Sequence, residues 1–221
     1  MYKVIGVDEA GKGPVLGSLF IGFSIINLAG GLKELNEYQE KLKELGVTDS
    51  KKLSPKKRNS LYNELKNMMD MKYAQLTPII IDENKQNGGD LMELEIAAII
   101  KVLEQEKPQC VIIDALTANP EKFKLEIEKR LNFECTVIAE NKADLKYEMV
   151  GAASIIAKEL REQELAQIHI NVGFDVGSGY PGDKKTREFV KLKGKDKELR
   201  FLFRTSWKTY QEITGKSLLD Y

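Results

Sequence analysis

Between Val4 and Pro14 the chain reads Val-Ile-Gly-Val-Asp-Glu-Ala-Gly-Lys-Gly-Pro. Apolar β-formers run straight into two acids, and the backbone then passes two glycines and a proline. Successive residues of a strand face opposite ways. Asp8 and Glu9 therefore share a site only where the strand stops, and the Gly-Lys-Gly turn predicts a stop after a strand over 2–7. An exposed turn with solvated acids is the plainer account of an isolated Asp-Glu pair, and the rest of the chain argues against it.

At 221 residues and 42% hydrophobic, the chain is long enough to bury a core as one domain with an appendage. Charged residues interrupt every apolar run before membrane-spanning length. No basic stretch followed by an apolar core marks a signal peptide at the start, so a cytoplasmic protein is expected, with no membrane partner. Cys110 and Cys135 lie far apart in or beside apolar runs, the placement of buried free thiols. His169 is the only histidine, which removes multi-histidine zinc sites; it sits near the end of a helical pattern, where a cation suits the helix dipole. Any bound metal is then held by oxygen, pointing to Mg²⁺ or Mn²⁺. With 34 basic and 34 acidic residues there is no global field. The basic residues are clustered, however: Lys51, Lys52, Lys56, Lys57 and Arg58 crowd one stretch, and ten Lys or Arg face three acids between Lys184 and Lys208.

In chain order, a second strand is expected over 15–26, with Gly17 and Gly22 marking a bulge or close packing. The leucines at 32, 35, 42 and 45 have helical spacing, ended by Gly46. Ser54-Pro55 opens a helix to about residue 69, followed by a strand over 73–81. Asp90 caps a helix, 110–113 is a strand ending in Asp114, Asn119-Pro120 opens another helix, and 134–139 is strand-like. A long helix over about 147–168 carries Gly151, Ala152, Ala153 and Ala157, small enough to pack closely on a sheet. A glycine-rich loop, an Asp183-capped helix and a basic, aromatic tail follow. Strands joined by a short turn, then strands alternating with helices, predict an α/β fold whose sheet is antiparallel on one side and parallel on the other.

Asp8 with Glu9, Asp114, and Asp144 stand at the ends of three separate elements, where the loops of α/β sheets gather sites. Taken singly, Asp144 reads equally well as a helix N-cap and Asp114 as a loop acid. Four carboxylates together repel one another unless cations neutralise them, as two divalent ions do when they clamp a phosphoryl displacement. The stretch from Gly6 to Lys12 also fits G-x-x-x-x-G-K. Position 13 is glycine where Ser or Thr should hold Mg²⁺, and two acids in the loop would repel phosphate, so a P-loop is rejected.

With these motifs in view, the chain resembles type 2 ribonuclease H (ribonuclease HII). The likeness rests, in order, on the stretch from Gly6 to Pro14, Asp49-Ser50-Lys51-Lys52-Leu53, Asp114, Lys142-Ala143-Asp144 with Tyr147, the stretch from Ala152 to Lys158, Gly177-Ser178-Gly179-Tyr180-Pro181, and Arg204-Thr205-Ser206-Trp207. It implies an α/β, ribonuclease H-like mixed sheet flanked by helices, with a catalytic core over 1–170 and a C-terminal helical appendage over 171–221. It also implies a catalytic metal site of Asp8, Glu9, Asp114 and Asp144 binding Mg²⁺ or Mn²⁺. The expected substrates are RNA–DNA hybrids and duplex DNA carrying single ribonucleotides. In the family a Gly-Arg-Gly turn reads the 2′-hydroxyl through backbone groups and a tyrosine stacks at the RNA–DNA junction; those roles fall on Gly11, Lys12, Gly13 and Tyr180. Lys12 stands where most of the family has arginine, a form shared with the sister type 3 enzymes.

The residues fit that implication on physical grounds. The 2′-hydroxyl separates RNA from DNA at a single nucleotide, and close backbone approach to it requires glycine. Lys51, Lys52 and Lys158 are candidate phosphate contacts. Ser217 to Tyr221 is a candidate tail for docking on a sliding clamp, and the protein is expected to act as a monomer. A resolvase-like nuclease on the same fold would cut without a ribonucleotide. A non-catalytic hybrid-binding protein would gain nothing from four acids beside phosphates.

Overall fold

A computed structural model of the chain describes residues 1–215. Its centre is a five-stranded sheet of order β3-β2-β1-β4-β5, with β1 Tyr2–Ala10, β2 Leu19–Leu28, β3 Asp70–Leu76, β4 Cys110–Asp114 and β5 Thr136–Glu140. β1 pairs antiparallel with β2 and parallel with β4, and β4 pairs parallel with β5. The mixed sheet follows the expected pattern, although residues 11–18 make the link from β1 to antiparallel β2 a longer loop than the short turn expected, whereas helical crossovers feed β4 and β5. Val4, Ile5, Val7 and all of Cys110 to Ile113 are buried, the continuous apolar run of strands covered on both faces.

The helices are α1 Leu32–Leu45, α2 Pro55–Leu65, α3 Pro78–Gln86, α4 Leu91–Glu106, α5 Pro120–Arg130, α6 Glu148–Val172, α7 Lys184–Lys193 and α8 Lys208–Thr214. Their starts are written in capping chemistry: the Ser54 and Asn119 side chains accept from the N–H groups of Lys57 and Lys122, each followed by proline at the first helical position.

Several expected boundaries move. The stretch 73–81 is not one strand: β3 ends at Leu76, and Ile79 to Ile81 belong to α3. Pro78 pre-sets the first turn and Thr77 Oγ1 accepts from Ile80 N, so a cap overrides the β-propensity of three isoleucines. β1 does not stop at Val7 but continues through Ala10, and β2 starts at Leu19 rather than Val15. α2 ends at Leu65, and α6 extends to Val172. Among the described residues no helix is long and apolar enough to cross a membrane.

Contacts divide the chain into two compact units, both discontinuous. The first comprises residues 1–10, 20–74 and 95–159; the second, among the described residues, 11–19, 75–94 and 160–215. The second unit draws on two segments from the first half of the chain as well as on the C-terminal region.

In the first unit, α6 lies against the sheet backbone to backbone. A Cβ placed on Gly6 would sit 2.3 Å from the Met149 carbonyl oxygen, and one on Gly22 would sit 2.4 Å from that of Ala153. Ser24 Oγ donates to the Met149 carbonyl at 2.6 Å in the same seam. Met149, Val150, Ala152, Ala153, Ile155, Ile156 and Ala157 are all buried, so this half of α6 is apolar nearly all round. The core of the second unit joins Val15 and Leu16 to Phe189, Phe203 and Tyr210, with Leu16 bridging Phe203.

Gly6→Ala is expected to cost about 1–3 kcal/mol, the usual penalty for overpacking a tight core. Gly182→Ala, where an added Cβ meets nothing within 4 Å, is expected to be near neutral. Thermal unfolding of the two variants side by side checks the close seat of α6.

Candidate active site

The carboxylates collect at one end of the sheet in the first unit. β1 and β4 pair only as far as Val7 opposite Ile113, whereas β1 goes on pairing with β2 through Ala10. Past Val7 the β4-side edge of β1 is therefore open, and Asp114, the last residue of β4, ends beside Asp8 and Glu9. One oxygen from each of Asp8, Glu9 and Asp114 lies within 4.8 Å of the others. The two neighbours on β1 thus share a site although their strand does not end there. Asp144 lies outside that trio, in the single turn Ala143–Leu145. The same turn is tied to the site because Ala143 N donates to Asp114 Oδ1 at 2.8 Å.

Burial, then the charge of Glu9, pushes the Asp8 carboxyl well above its ordinary range, against a hydrogen bond from Ser154. Burial and Glu9 likewise raise Asp114, and burial and Asp114 raise Asp144. The cluster is a set of oxygen donors short of positive charge, which fits a divalent cation and no softer metal. Asp8 would be held in place for that task. Ser154 on α6 hydrogen-bonds it, and Ser154 Oγ lies 2.8 Å from Ser50 Oγ in the buried interior.

Ser50 starts the turn Ser50–Lys52 that carries two of the three candidate phosphate contacts, Lys51 and Lys52. Partial burial pulls the Lys51 ammonium down, but Asp8, Asp49, Asp144 and Glu9 outweigh it and raise it, which puts this cation beside the acids. Lys52 is exposed on the same turn, and Lys158 is half-buried on α6, one helical turn beyond Ser154. Arg58, from the same basic run, is turned inward: it is 4% exposed and donates to the Ser50 and Leu53 carbonyls, with Glu159 3.7 Å away.

The glycine turn belongs to the second unit. Gly11 has φ +93°, and a Cβ there would lie 2.8 Å from the Ser18 carbonyl oxygen and 2.9 Å from Arg161 Cδ, so only glycine fits. Gly13 faces Tyr180: a Cβ on residue 13 would come within 3.3 Å of the ring. The Arg161 guanidinium sits 4.9 Å from the centroid of that ring, which is 39% exposed. Arg161 and Arg204 are among the most deeply buried large side chains. Burial, then Arg161, lowers Arg204 to about 10. The motif containing Arg204 was visible in the sequence, but what Arg204, Arg161 and Ser154 touch was not.

His169 lies in the last turn of α6, where its Nδ1 accepts from Val176 N at 3.2 Å. Cys110 is buried and Cys135 half-buried, both as free thiols that burial pushes to about 11 and about 12.

The family model described as Ribonuclease HII matches residues 5–210. The chain belongs to the ribonuclease HII family. A ribonuclease HII of Pyrococcus horikoshii is 38% identical over 213 residues, covering 96% of this chain and 92% of the relative. The solved ribonuclease H2 structure from that organism superposes with a TM-score of 0.83 at 37% identity, covering 97% of this chain and 98% of that one. The solved PCNA:RNase HII complex of Archaeoglobus fulgidus matches with a TM-score of 0.82 at 32% identity, covering 99% of this chain and 100% of that one. The fold is therefore ribonuclease H-like, with a helical C-terminal region. As a member of that family the chain is a metal-dependent ribonuclease, and Asp8, Glu9 and Asp114 form the cluster among the described residues that could hold a metal ion.

The raised carboxylates fix the sign of a stability effect. The metal-free folded state holds its protons more tightly than the unfolded one, so stability from these groups is present near the ordinary value of 3.8 and lost as pH rises through the raised values. In EDTA, Asp8→Asn is expected to melt higher than the parent protein, by a margin that grows as pH rises from about 4 to 7. Added Mg²⁺ should raise the melting point of the parent and not of the variant. A parent protein that melts no lower than Asp8→Asn at neutral pH would show that the acids are not strained together.

Proposed function

We propose that the chain is an endoribonuclease that cuts the RNA strand of RNA–DNA hybrids and cuts 5′ to single ribonucleotides in duplex DNA, leaving 3′-hydroxyl and 5′-phosphate ends. The observation that carries this reading is the convergence of Asp8, Glu9 and Asp114 on one strand end, with the Gly-Lys-Gly turn following directly in the chain. Asp8, Glu9, Asp114 and Asp144 would hold two Mg²⁺ or Mn²⁺ ions. When bound, such ions activate a water for in-line attack and stabilise the departing 3′-oxygen.

The chain's own residues do the rest. Asp8, hydrogen-bonded by Ser154, would be the most firmly held of these ligands. Lys51, Lys52 and Lys158 bind the phosphates on either side of the scissile bond, setting register without reading sequence. Gly11, Lys12 and Gly13 present backbone groups to the 2′-hydroxyl, and the Tyr180 ring, flanked by Arg161, packs on the sugar or base at the junction. His169 is engaged by the Val176 amide and takes no part as a base. The protein acts as a cytoplasmic monomer in replication and repair. The PCNA complex of the Archaeoglobus relative supports a docking role for the tail Ser217 to Tyr221, which lies outside the described residues.

The test uses an end-labelled DNA duplex with one ribonucleotide, beside an all-DNA duplex and a long hybrid, assayed with Mg²⁺, Mn²⁺ and EDTA. Metal-dependent cutting 5′ to the ribonucleotide, absent from all-DNA, is expected. Cutting of all-DNA would favour a resolvase-like nuclease, and cutting of nothing would overturn the catalytic reading. Asp8→Asn should lose more than about 100-fold, since even groups behind metal ligands typically carry 10–100-fold.

Lys51→Ala should weaken binding to hybrid and to all-DNA alike. It should also reduce the dependence of log affinity on log salt by about one unit, as removal of one phosphate contact does. An unchanged salt slope would remove Lys51 from the phosphate contacts.

A further inference from the structure

Arg204 is fully buried, and its guanidinium bonds three main-chain carbonyls of one loop. Nη2 donates to the Gly11 oxygen at 2.7 Å, Nη1 to that of Lys12 at 3.0 Å, and Nε to that of Gly17 at 3.0 Å. A peptide group is planar, so holding the oxygen of one residue fixes the direction of the next residue's N–H. The grip on Gly11 sets the amide of Lys12, and the grip on Lys12 sets the amide of Gly13. One rigid planar fork can do this; an ammonium, with its donors on one nitrogen, cannot span three carbonyls.

Arg204 is in turn held. Its own N–H donates to the Val15 carbonyl at 2.9 Å. The next two residues are clamped by Asp82 of α3, which is 4% exposed. Thr205 donates to Asp82 Oδ2 through its amide at 2.9 Å and its hydroxyl at 2.7 Å; Ser206 donates to Oδ1 at 3.0 Å and 2.7 Å. All of these groups belong to the second unit. A segment that merely filled a core would be served as well or better by apolar side chains, since burying charge is costly. What this arrangement supplies is direction.

We propose that Arg204, aligned by Asp82, is the positioning residue that sets ribonucleotide discrimination, by orienting the amides and carbonyls of the Gly11 to Gly13 turn. The inference rests on the reading of that turn given above. It assigns the discrimination to a buried side chain about 190 residues further along the chain, not to the side chain at position 12.

The experiment measures KM and kcat on the single-ribonucleotide duplex with Mg²⁺, and the inhibition constant Ki of the matching all-DNA duplex as a competitor. The ratio Ki/KM reports discrimination. Arg204→Lys keeps a buried cation but loses the fork, and is expected to lower the ratio on the order of 10-fold through KM, with Ki and the Mg²⁺ half-saturation unchanged. Asp82→Asn turns an amide nitrogen toward one pair of donors and should fall between the parent and Arg204→Lys. Thermal unfolding checks that each variant is folded. A folded Arg204→Lys with the parent's ratio overturns the inference, as does a loss of rate with the ratio kept. Should Arg204→Lys fail to fold, Asp82→Asn decides in the same way. A parent protein that does not distinguish the two duplexes would instead overturn the underlying reading of the turn.

Discussion

The backbone contact between α6 and the sheet is the constraint on which the rest depends. Gly6 on β1 and Gly22 on β2 leave no room for a side chain beneath the carbonyls of Met149 and Ala153. A helix seated that deeply brings Ser154 to Asp8 and Ser50, and Glu159 to Arg58 and Asn59. The later residues of the same helix serve the second unit: Arg161 supports Tyr180, and Glu164 accepts from Ser18 N at 2.7 Å. Along one helix, Ser154 thus serves the acids of the first unit, and Arg161 and Glu164 serve Tyr180 and Ser18 of the second. Its small residues were legible as a packing face, but the hydrogen bonds it makes were not.

The acids themselves are held against their own repulsion. Isolated carboxylates at a strand end would move apart or stay in water; here the register of β1 against β2 and the end of β4 leave Asp8, Glu9 and Asp114 no such freedom. The strain appears as carboxyl groups raised by burial and by one another. Such an arrangement costs stability in the metal-free protein and gives a cation something to offset. Lys51, drawn toward the same carboxylates, partly offsets it already.

What the sequence showed follows from how local each signal is. Capping pairs such as Ser54-Pro55 and Asn119-Pro120 act within one turn, and the helices they announce are present. The α/β alternation and the mixed sheet were legible for the same reason. The strand expected over 73–81 failed because three isoleucines outweighed Thr77-Pro78, although that pair is also a local cap. The end of β1 was misplaced because pairing is non-local: β2 holds Asp8 to Ala10 in the sheet, and only the shortness of β4 opens the edge they need. Arg58 was hidden in a basic run, since charge in sequence does not say which arginine finds Glu159. Arg204, Arg161 and Asp82 have partners distant in the chain, which no window of sequence contains.

The same distinction bears on Lys12. An arginine at position 12 would add a planar fork at the surface, and lysine gives up that geometry while keeping the charge. The direction of the turn's peptide groups does not depend on that side chain, because the carbonyls of Gly11 and Lys12 are gripped from beneath by Arg204. Position 12 can therefore vary between the two cations without disturbing the backbone at Gly11 and Gly13. Position 204 has no such latitude: its three carbonyls are met from three separate nitrogens, an apolar residue offers no donor, and lysine has its three donors on a single nitrogen. The half-buried side chain at position 12 leaves the turn's backbone to others, and the buried guanidinium at position 204 fixes the direction of its peptide groups.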